Sequence, residues 1–142
     1  MTDANAKTFN FELVSPDRIL VSEPAWQVII PGEEGYFGVR AGHMSLIAAI
    51  KPGVVEVYKT AGAAPEKIFI AGGFADVTAA NCTILAEQAV NVNDLDAAAL
   101  ESELKDLKED LSMANDAASK TQADKKIALT EIKLKIAQSK AA

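Results

Sequence analysis

Hydrophobic and polar residues alternate in short runs along the first two thirds of the chain. Phe9, Phe11 and Leu13 are separated by Asn10 and Glu12, the period of two that is typical of a half-buried strand. Comparable runs follow, with turn-forming residues between them, at the spacing of about 8 to 12 residues found in all-β sandwiches and barrels. We predict seven to ten short strands here.

The densest turn signals fall in residues 36–57. The apolar run at residues 46–50 is bounded by turn residues, and a Pro-Gly turn separates it from the β-branched residues 54–58. This pattern predicts two strands, the first of them buried. Residues 40–45 then form a loop at an end of the sheet, where loops tend to carry contacts.

The period changes to that of a helix after residue 90. A first helix is predicted from an apolar stripe at spacings of three and four, made by Ala97, Leu100, Leu104, Leu107, Leu111, Ala114 and Ala118. Thr121 and Asp124 resemble a cap for a second helix over about residues 122–138, with one face formed by Ala128, Leu129, Ile132 and Ile136. A short loop between them predicts an antiparallel hairpin.

Composition divides the chain at the same place. All 8 glycines, all 5 prolines and every aromatic residue precede residue 75, whereas helix-forming residues dominate after residue 90. We therefore predict an α+β protein: an N-terminal antiparallel β-sandwich over residues 1–90, followed by a C-terminal antiparallel two-helix hairpin over residues 91–142. The hairpin has a thin, alanine-rich seam, so it is expected to be weakly held by itself.

Charge and hydropathy exclude several classes of function. The net charge is −6, and neither part carries the basic stripe of a nucleic-acid-binding protein. No apolar run is long enough to span a bilayer, and the N-terminus lacks the pattern of a secretory signal. We expect a soluble chain that meets a membrane only through a partner.

Candidate chemistry is sparse. Cys82 is the only cysteine, so no disulfide can form within one chain. His43 is the only histidine, so any metal site would have to be built from it and carboxylates, with no cysteine at ligand spacing. Cys82 lies in an alternating strand pattern that favours a buried structural role over a reactive thiol. No nucleotide-binding or nucleophile motif is present. We expect no catalytic residues, no metal and no cofactor, and the pattern favours binding or regulation.

Three ordered blocks of sequence resemble a known family. They read FELVSPDRILVSE, VIIPGEEGYFGVRAGHMSLIAAIKPGVVEV and IFIAGGFADVTAANCTILAEQAV, and a helix beginning at Leu95 and Asp96 follows. Together they resemble the epsilon subunit of bacterial F-type ATP synthases, the counterpart of mitochondrial delta. The resemblance implies a β-sandwich bound to the gamma subunit and to the c-ring, and a regulatory helical hairpin.

The resemblance also implies a role. Such a subunit is a non-catalytic part of the rotating central stalk, couples proton flow to ATP synthesis, and lies at the cytoplasmic face of the bacterial inner membrane as a peripheral component. Its helices can extend towards the catalytic alpha and beta subunits and inhibit ATP hydrolysis. The alternative is a free-standing β-sandwich that binds a small ligand and dimerises through its helices.

Two sets of site residues follow from the resemblance. It places Glu33, Arg40, His43, Met44 and Ser45 at the end of the sandwich that contacts the c-ring and gamma.

The other set concerns ATP. Family members that bind ATP at the hairpin carry Leu or Ile, Asp, two variable residues, Arg and Ala. Here Leu95 and Asp96 match, but Ala99 stands in the position of the arginine and Leu100 in that of the alanine. Because a triphosphate needs cationic partners, we expect no ATP sensing and a role for Asp96 in the first turn of the helix.

Overall fold

The computed structural model describes residues 7–140. Within that range the chain divides into two compact units, one ending at Asn91 and the other beginning at Val92. The first unit is made of β-strands and the second of two α-helices. The predicted α+β class, a β-sandwich followed by a helical hairpin, is confirmed.

The described part of the first unit contains ten short strands joined mostly by tight turns. They are β1 (Phe9–Val14), β2 (Ile19–Ala25), β3 (Gln27–Gly32), β4 (Gly35–Arg40), β5 (Leu46–Ile50), β6 (Gly53–Tyr58), β7 (Glu66–Ile70), β8 (Gly73–Val77), β9 (Asn81–Ala86) and β10 (Ala89–Asn91).

These strands form two halves joined at one point. One half has the order β10-β7-β6-β3, with β4 on the far side of β3, and the other has the order β5-β8-β9-β1-β2. The pair Gly32 and Ile50 links β3 to β5 and therefore the two halves. All strand pairs are antiparallel except β1 with β9, which is parallel, so the prediction of an antiparallel sandwich misses one pair.

Alternating residues from both halves fill the core. Phe11 and Leu13 of β1 are buried beside Cys82 and Ile84 of β9, in the register that the parallel pair imposes. Val28, Ile30, Val39, Val55 and Val57 supply the corresponding layer from the other half. The period of two in the sequence thus places one face of each half in the core.

One predicted strand is exposed where the sequence indicated burial. In β5 only Ile50 is fully buried, and Ile47 is 76% exposed. The run of residues 46–50 is apolar on both faces, but β5 has only one face towards the core, so its other face is left open to solvent. The prediction that the strand over residues 46–50 is buried is therefore wrong, most clearly at Ile47.

The second unit is a helical hairpin formed by α1 (Ala97–Met113) and α2 (Ala117–Lys140). α1 ends earlier than predicted, and the turn at residues 114–116 is shorter. Asp116 accepts a hydrogen bond from the Ser119 backbone N–H at 3.0 Å, so this residue, and not Thr121, caps the start of α2.

The buried stripe of α2 differs from the predicted one. Ala123, Thr130 and Ala137 are buried at intervals of seven residues, whereas Ala128 is exposed and Leu129, Ile132 and Ile136 are half-buried. On α1 the leucines of the predicted stripe are confirmed, since Leu100 is buried and Leu104, Leu107 and Leu111 are half-buried. The end of that stripe is wrong, because Ala114 lies in the turn after α1 and Ala118 is an exposed residue of α2. Small residues on α2 leave room for the leucines of α1, so the buried stripe of α2 is formed by small residues and not by its largest side chains.

Candidate partner-binding surface

The loop after β4 is held by its backbone. The Arg40 carbonyl accepts a hydrogen bond from the His43 N–H at 3.1 Å, and the Gly42 N–H donates to the Ala79 carbonyl at 2.8 Å. Gly42 has φ +83, a conformation that glycine adopts without steric cost. The Arg40 guanidinium lies 4.2 Å from the centre of the Trp26 ring, a cation–π contact. The loop is therefore tied to the turn between β8 and β9 and to the start of β3.

His43 and its neighbours form the outer part of this loop. The His43 Nδ1 is 2.7 Å from the Met44 carbonyl oxygen, and because a carbonyl can only accept, Nδ1 carries the proton and donates. Met44 is 81% exposed, and Ser45 is also exposed. No group of three His, Cys, Asp or Glu residues within residues 7–140 is arranged to hold a metal ion. The loop thus presents a contact surface with an apolar side chain at its tip.

Glu33 lies at the opposite end of β4 from this loop. It occupies the turn between β3 and β4 with Glu34, and both side chains are exposed. Arg40 is the last of the six residues of β4, so it lies at the far end of the strand from this turn, about 17 Å from Gly35. The structure therefore gathers Arg40, His43, Met44 and Ser45 in one loop but puts Glu33 in a separate turn.

A third surface was not predicted from the sequence. On the outward face of the second half of the β unit, the strand register aligns Ala49 with Phe74, Phe74 with Leu85, and Leu85 with Val14. We call this line of residues across four strands, together with the adjacent Ile47, the apolar row. Phe74 is 57% exposed and Leu85 is 47% exposed.

Acidic residues flank the apolar row. Ile47 pairs with Asp76, Asp76 with Thr83, and Thr83 with Glu12, so the next line on this face carries two carboxylates. An apolar patch with a polar rim is the usual composition of a protein-binding surface. The sequence does carry a signal for the apolar row. Phe74 shares its strand face with the charged Asp76, so an apolar residue occurs where alternation predicts a polar one.

Cys82 lies beneath this face and is chemically shielded. Its side chain is fully buried, and burial, with a smaller contribution from Asp76, raises the pKa of the thiol to about 12. The structure therefore supports the predicted structural role of this cysteine.

The residues that match the ATP motif, at the start of the hairpin, have structural roles at the beginning of α1. The Asp96 carboxylate accepts a hydrogen bond from the Ala98 N–H at 3.0 Å, which makes Asp96 the N-cap of α1 and not a first-turn residue. Leu95 is buried, and Ala99, at the position of the motif's arginine, is exposed. No helix in the described range has the length and apolar character needed to cross a membrane.

Comparison with known proteins decides the family. The model of the family described as ATP synthase, Delta/Epsilon chain, beta-sandwich domain matches residues 8–92. The chain belongs to the ATP synthase delta/epsilon family. It is 40% identical to the ATP synthase epsilon chain of Rhodospirillum centenum over 138 residues, which covers 94% of each chain. It is 48% identical to that of Mesorhizobium japonicum over 119 residues, 84% of this chain and 87% of the relative.

A solved structure agrees with these matches. One chain of the Euglena gracilis mitochondrial ATP synthase, in a cryo-EM structure of OSCP, F1 and the c-ring in rotational state 1, aligns with a TM-score of 0.74 and 27% identity. The alignment covers 88% of this chain and 78% of that one. The protein is therefore a non-catalytic central-stalk subunit of an F-type ATP synthase, and the free-standing ligand-binding alternative is not favoured.

Proposed function

We propose that this chain binds the gamma subunit through the apolar row and faces the c-ring with the ends of its β unit, so that it helps couple proton flow to ATP synthesis. Its place is the cytoplasmic face of the bacterial inner membrane, as a peripheral component of the complex. The helical hairpin regulates ATP hydrolysis by extending towards the catalytic alpha and beta subunits.

The observation that carries the gamma assignment is the exposure of the apolar row. Fully burying a Phe, Leu or Ile side chain stabilises by about 1.5 to 3 kcal/mol. Since Ile47, Phe74 and Leu85 are each roughly half to three quarters exposed, covering all three would contribute about 3 to 5 kcal/mol. That corresponds to roughly two to four orders of magnitude in affinity.

The turn and loop residues support contact with the c-ring. Glu33 and Met44 are exposed on segments that backbone hydrogen bonds hold in place, as a fixed contact with a co-rotating c-ring requires. Arg40 is committed to Trp26 by its cation–π contact, so His43, Met44 and Ser45 are the members of the loop available to a partner. Loops on a rigid scaffold are common positions for such contacts.

The regulatory role is tested by the rate of ATP hydrolysis. A catalytic complex stripped of this subunit is supplied with either the full chain or a chain ending at Asn91, where β10 and the first unit end. We expect both to bind and only the full chain to lower the rate. Equal rates with both chains bound would remove the regulatory role, and failure of both to bind would refute the placement in the stalk.

A matched pair of variants tests the apolar row. Phe74→Ser removes an exposed aromatic side chain from the row, and Met113→Ser removes a 77% exposed side chain from the end of α1. We expect Phe74→Ser to weaken binding to gamma at least tenfold and Met113→Ser to leave it unchanged, with both folded. If the two variants bind gamma equally well, the row is not the gamma surface.

A further inference from the structure

The outer edge of β4 is open. Strand β4 pairs with β3 along all six of its residues, and within residues 7–140 no second strand pairs with it. An open strand edge is a template for pairing with another chain, and proteins normally blunt it with a proline, a bulge or a cover. β4 contains no proline, and its register with β3 runs without a bulge. This edge is therefore competent to accept a further strand.

Three residues of β4 direct their backbone groups outwards. Pro31, the register partner of Tyr36, has no N–H, and its carbonyl accepts from the Lys51 N–H at 3.0 Å on the other side of β3. Pro31 and Tyr36 therefore form a pair without hydrogen bonds between them, and such pairs alternate with bonded ones along an antiparallel ladder. By this alternation Tyr36, Gly38 and Arg40 direct their N–H and C=O groups away from β3.

These outward groups are available to a partner. Of the six, only the Arg40 carbonyl has a hydrogen bond in the described part of the chain, from the His43 N–H at 3.1 Å. The adjoining surface is open as well, since Gly38 and Arg40 are exposed and Tyr36 is 59% exposed. The edge thus offers both main-chain bonds and side-chain contacts to an added strand.

The edge is complementary to itself. When a second copy of β4 is laid antiparallel against it, one register alone pairs all three outward residues: a two-fold axis passes through Gly38, and Tyr36 of each copy lies opposite the partner's Arg40. The two Gly38 residues exchange two hydrogen bonds, and each Arg40 N–H donates one more to the partner's Tyr36 carbonyl. No side chain stands at the axis, where the two copies are identical and closest.

The same register matches the side chains. The Arg40 guanidinium lies 4.2 Å from the centre of the Trp26 ring, which occupies one face of the guanidinium plane and leaves the other for the partner's Tyr36. The Tyr36 ring already attracts a cation, because the Lys51 Nζ lies 5.8 Å from its centre. Residues directly opposite each other in an antiparallel pair are close enough for such a contact. Arg40 therefore meets an aromatic ring and not its own copy.

We propose that the free chain forms a two-fold dimer through β4, with Gly38 on the axis and Tyr36 of each copy against Arg40 of the other. A second copy is the occupant because the register with the most main-chain bonds is also the one that matches the side chains. The dimer joins strands β10, β7, β6, β3 and β4 to their five counterparts in one continuous sheet.

This dimer is independent of the proposed placement in the stalk. The contact proposed with the c-ring uses the turn before β4 and the loop after it, and the contact proposed with gamma uses the apolar row. The dimer instead uses the backbone edge of β4 with Tyr36 and Arg40, and it is tested with no other subunit present. A chain that fails to dimerise would leave the stalk placement standing.

Sedimentation equilibrium of the purified full-length chain tests the association. A single strand edge makes a small interface, so we expect a weak dimer that forms below about 1 mM chain. Gly38→Pro removes the N–H that faces the partner without breaking a bond to β3, and Gly38→Ala keeps that N–H as the matched control. We expect Gly38→Pro to raise the dissociation constant at least tenfold, because both bonds on the axis are lost, and Gly38→Ala to leave it nearly unchanged.

Two results of this experiment would overturn the proposal. One is a wild-type chain that stays monomeric up to about 1 mM. The other is equal dimerisation of the two folded variants, which would place the association elsewhere on the chain, such as the helices.

Cysteine variants test the register without relying on a proline. Residue 36 of one copy lies opposite residue 40 of the other, with Cα atoms about 5.5 Å apart and within disulfide reach. The two copies of residue 36 lie four positions apart along the strands, about 14 Å, and cannot be bridged. With oxidised glutathione as the oxidant, we expect a mixture of Tyr36→Cys and Arg40→Cys chains to form a disulfide-linked dimer. Each variant alone should remain unlinked, because the native Cys82 is fully buried.

The unmixed variants are the control for random encounter. A mixture that links no better than either variant alone would refute the register, and with it the dimer through β4.

Discussion

The replacement Gly73→Ala is expected to be among the most damaging single-methyl changes in the β unit. Gly73 is the first residue of β8, has φ +149, and pairs with Ile50 on one side and Ala86 on the other. A Cβ atom built there would overlap the Leu85 carbonyl oxygen and lie 3.1 Å from the Ala86 Cα. Both neighbours are backbone atoms of β9, so no side-chain rotation can relieve the contact.

The cost has two parts. An L-residue at positive φ costs about 1 to 2 kcal/mol. Moving β8 away from β9 also weakens the first hydrogen bonds of the ladder, at about 1 kcal/mol each. We therefore expect Gly73→Ala to lower the free energy of unfolding by about 3 to 4 kcal/mol, a large part of the 5 to 15 kcal/mol that is typical of a domain.

Gly62→Ala is the matched control. Gly62 has φ +81, but no heavy atom lies within 4 Å of the added Cβ, so only the conformational cost of about 1 to 2 kcal/mol applies. Urea unfolding followed by the fluorescence of Trp26 reports on the β unit, because this is the single tryptophan of the chain. If Gly73→Ala is no less stable than Gly62→Ala, steric exclusion at the β8–β9 pair is refuted.

Three further outcomes are expected. The raised pKa of Cys82, about 12 against an ordinary 9.0, keeps the thiol protonated when folded, so the native chain should react with a thiol reagent far more slowly than the urea-unfolded chain. Because the thiol ionises at a lower pH in the unfolded chain than in the folded one, the free energy of unfolding should fall as pH rises from about 9 towards 12. Cys82→Ala should remove this part of the pH dependence, as measured by urea unfolding midpoints at several pH values. Asp96→Ala should destabilise the hairpin by about 1 kcal/mol through loss of the N-cap, and Asp96→Asn should cost much less, as measured by circular dichroism of the helices. ATP should leave the thermal midpoint unchanged, because Ala99 replaces the motif's cation; a rise with ATP would show a binding site of different composition.

The fold was largely accessible from sequence because it depends on local periodicity. Alternation at Phe9, Phe11 and Leu13 predicts a half-buried strand, and the structure buries all three. The leucine stripe of α1 was likewise predicted from spacings of three and four. Which strands pair could not be predicted from the sequence. Nothing local to β1 or β9 indicates that they run parallel, because this pairing joins residues about seventy positions apart.

Helix α2 shows a different limit of sequence reasoning. Its seam is built on Ala123, Thr130 and Ala137, whereas the hydrophobic pattern pointed to Leu129, Ile132 and Ile136. Small residues permit close approach of two helices but contribute little hydrophobicity, so a rule that follows the largest apolar residues selects the wrong stripe. The cap at Asp116 was missed for a related reason, because the turn is only three residues long and the capping signal at Thr121 looked equivalent.

The candidate surfaces could be predicted from the sequence only in part. The loop that carries His43 and Met44 was predicted from turn residues and from the family resemblance, and its hydrogen bonds hold it in a defined conformation. The apolar row was missed because its members belong to four separate strands, and only the register brings Phe74 beside Leu85 and Ala49. Each side chain alone resembles an ordinary core residue.

The position of the apolar row explains why these residues are apolar at all. Alternation already gives the second half of the sheet a complete core face through Ala75, Val77 and Ile84, so Phe74 and Leu85 are not needed to fill the interior. Leaving them exposed contributes nothing to the stability of the free chain and favours association instead. Polar residues at both positions should therefore preserve the fold of the isolated subunit while weakening its binding to gamma, a separation of effects that core residues such as Ile84 would not show.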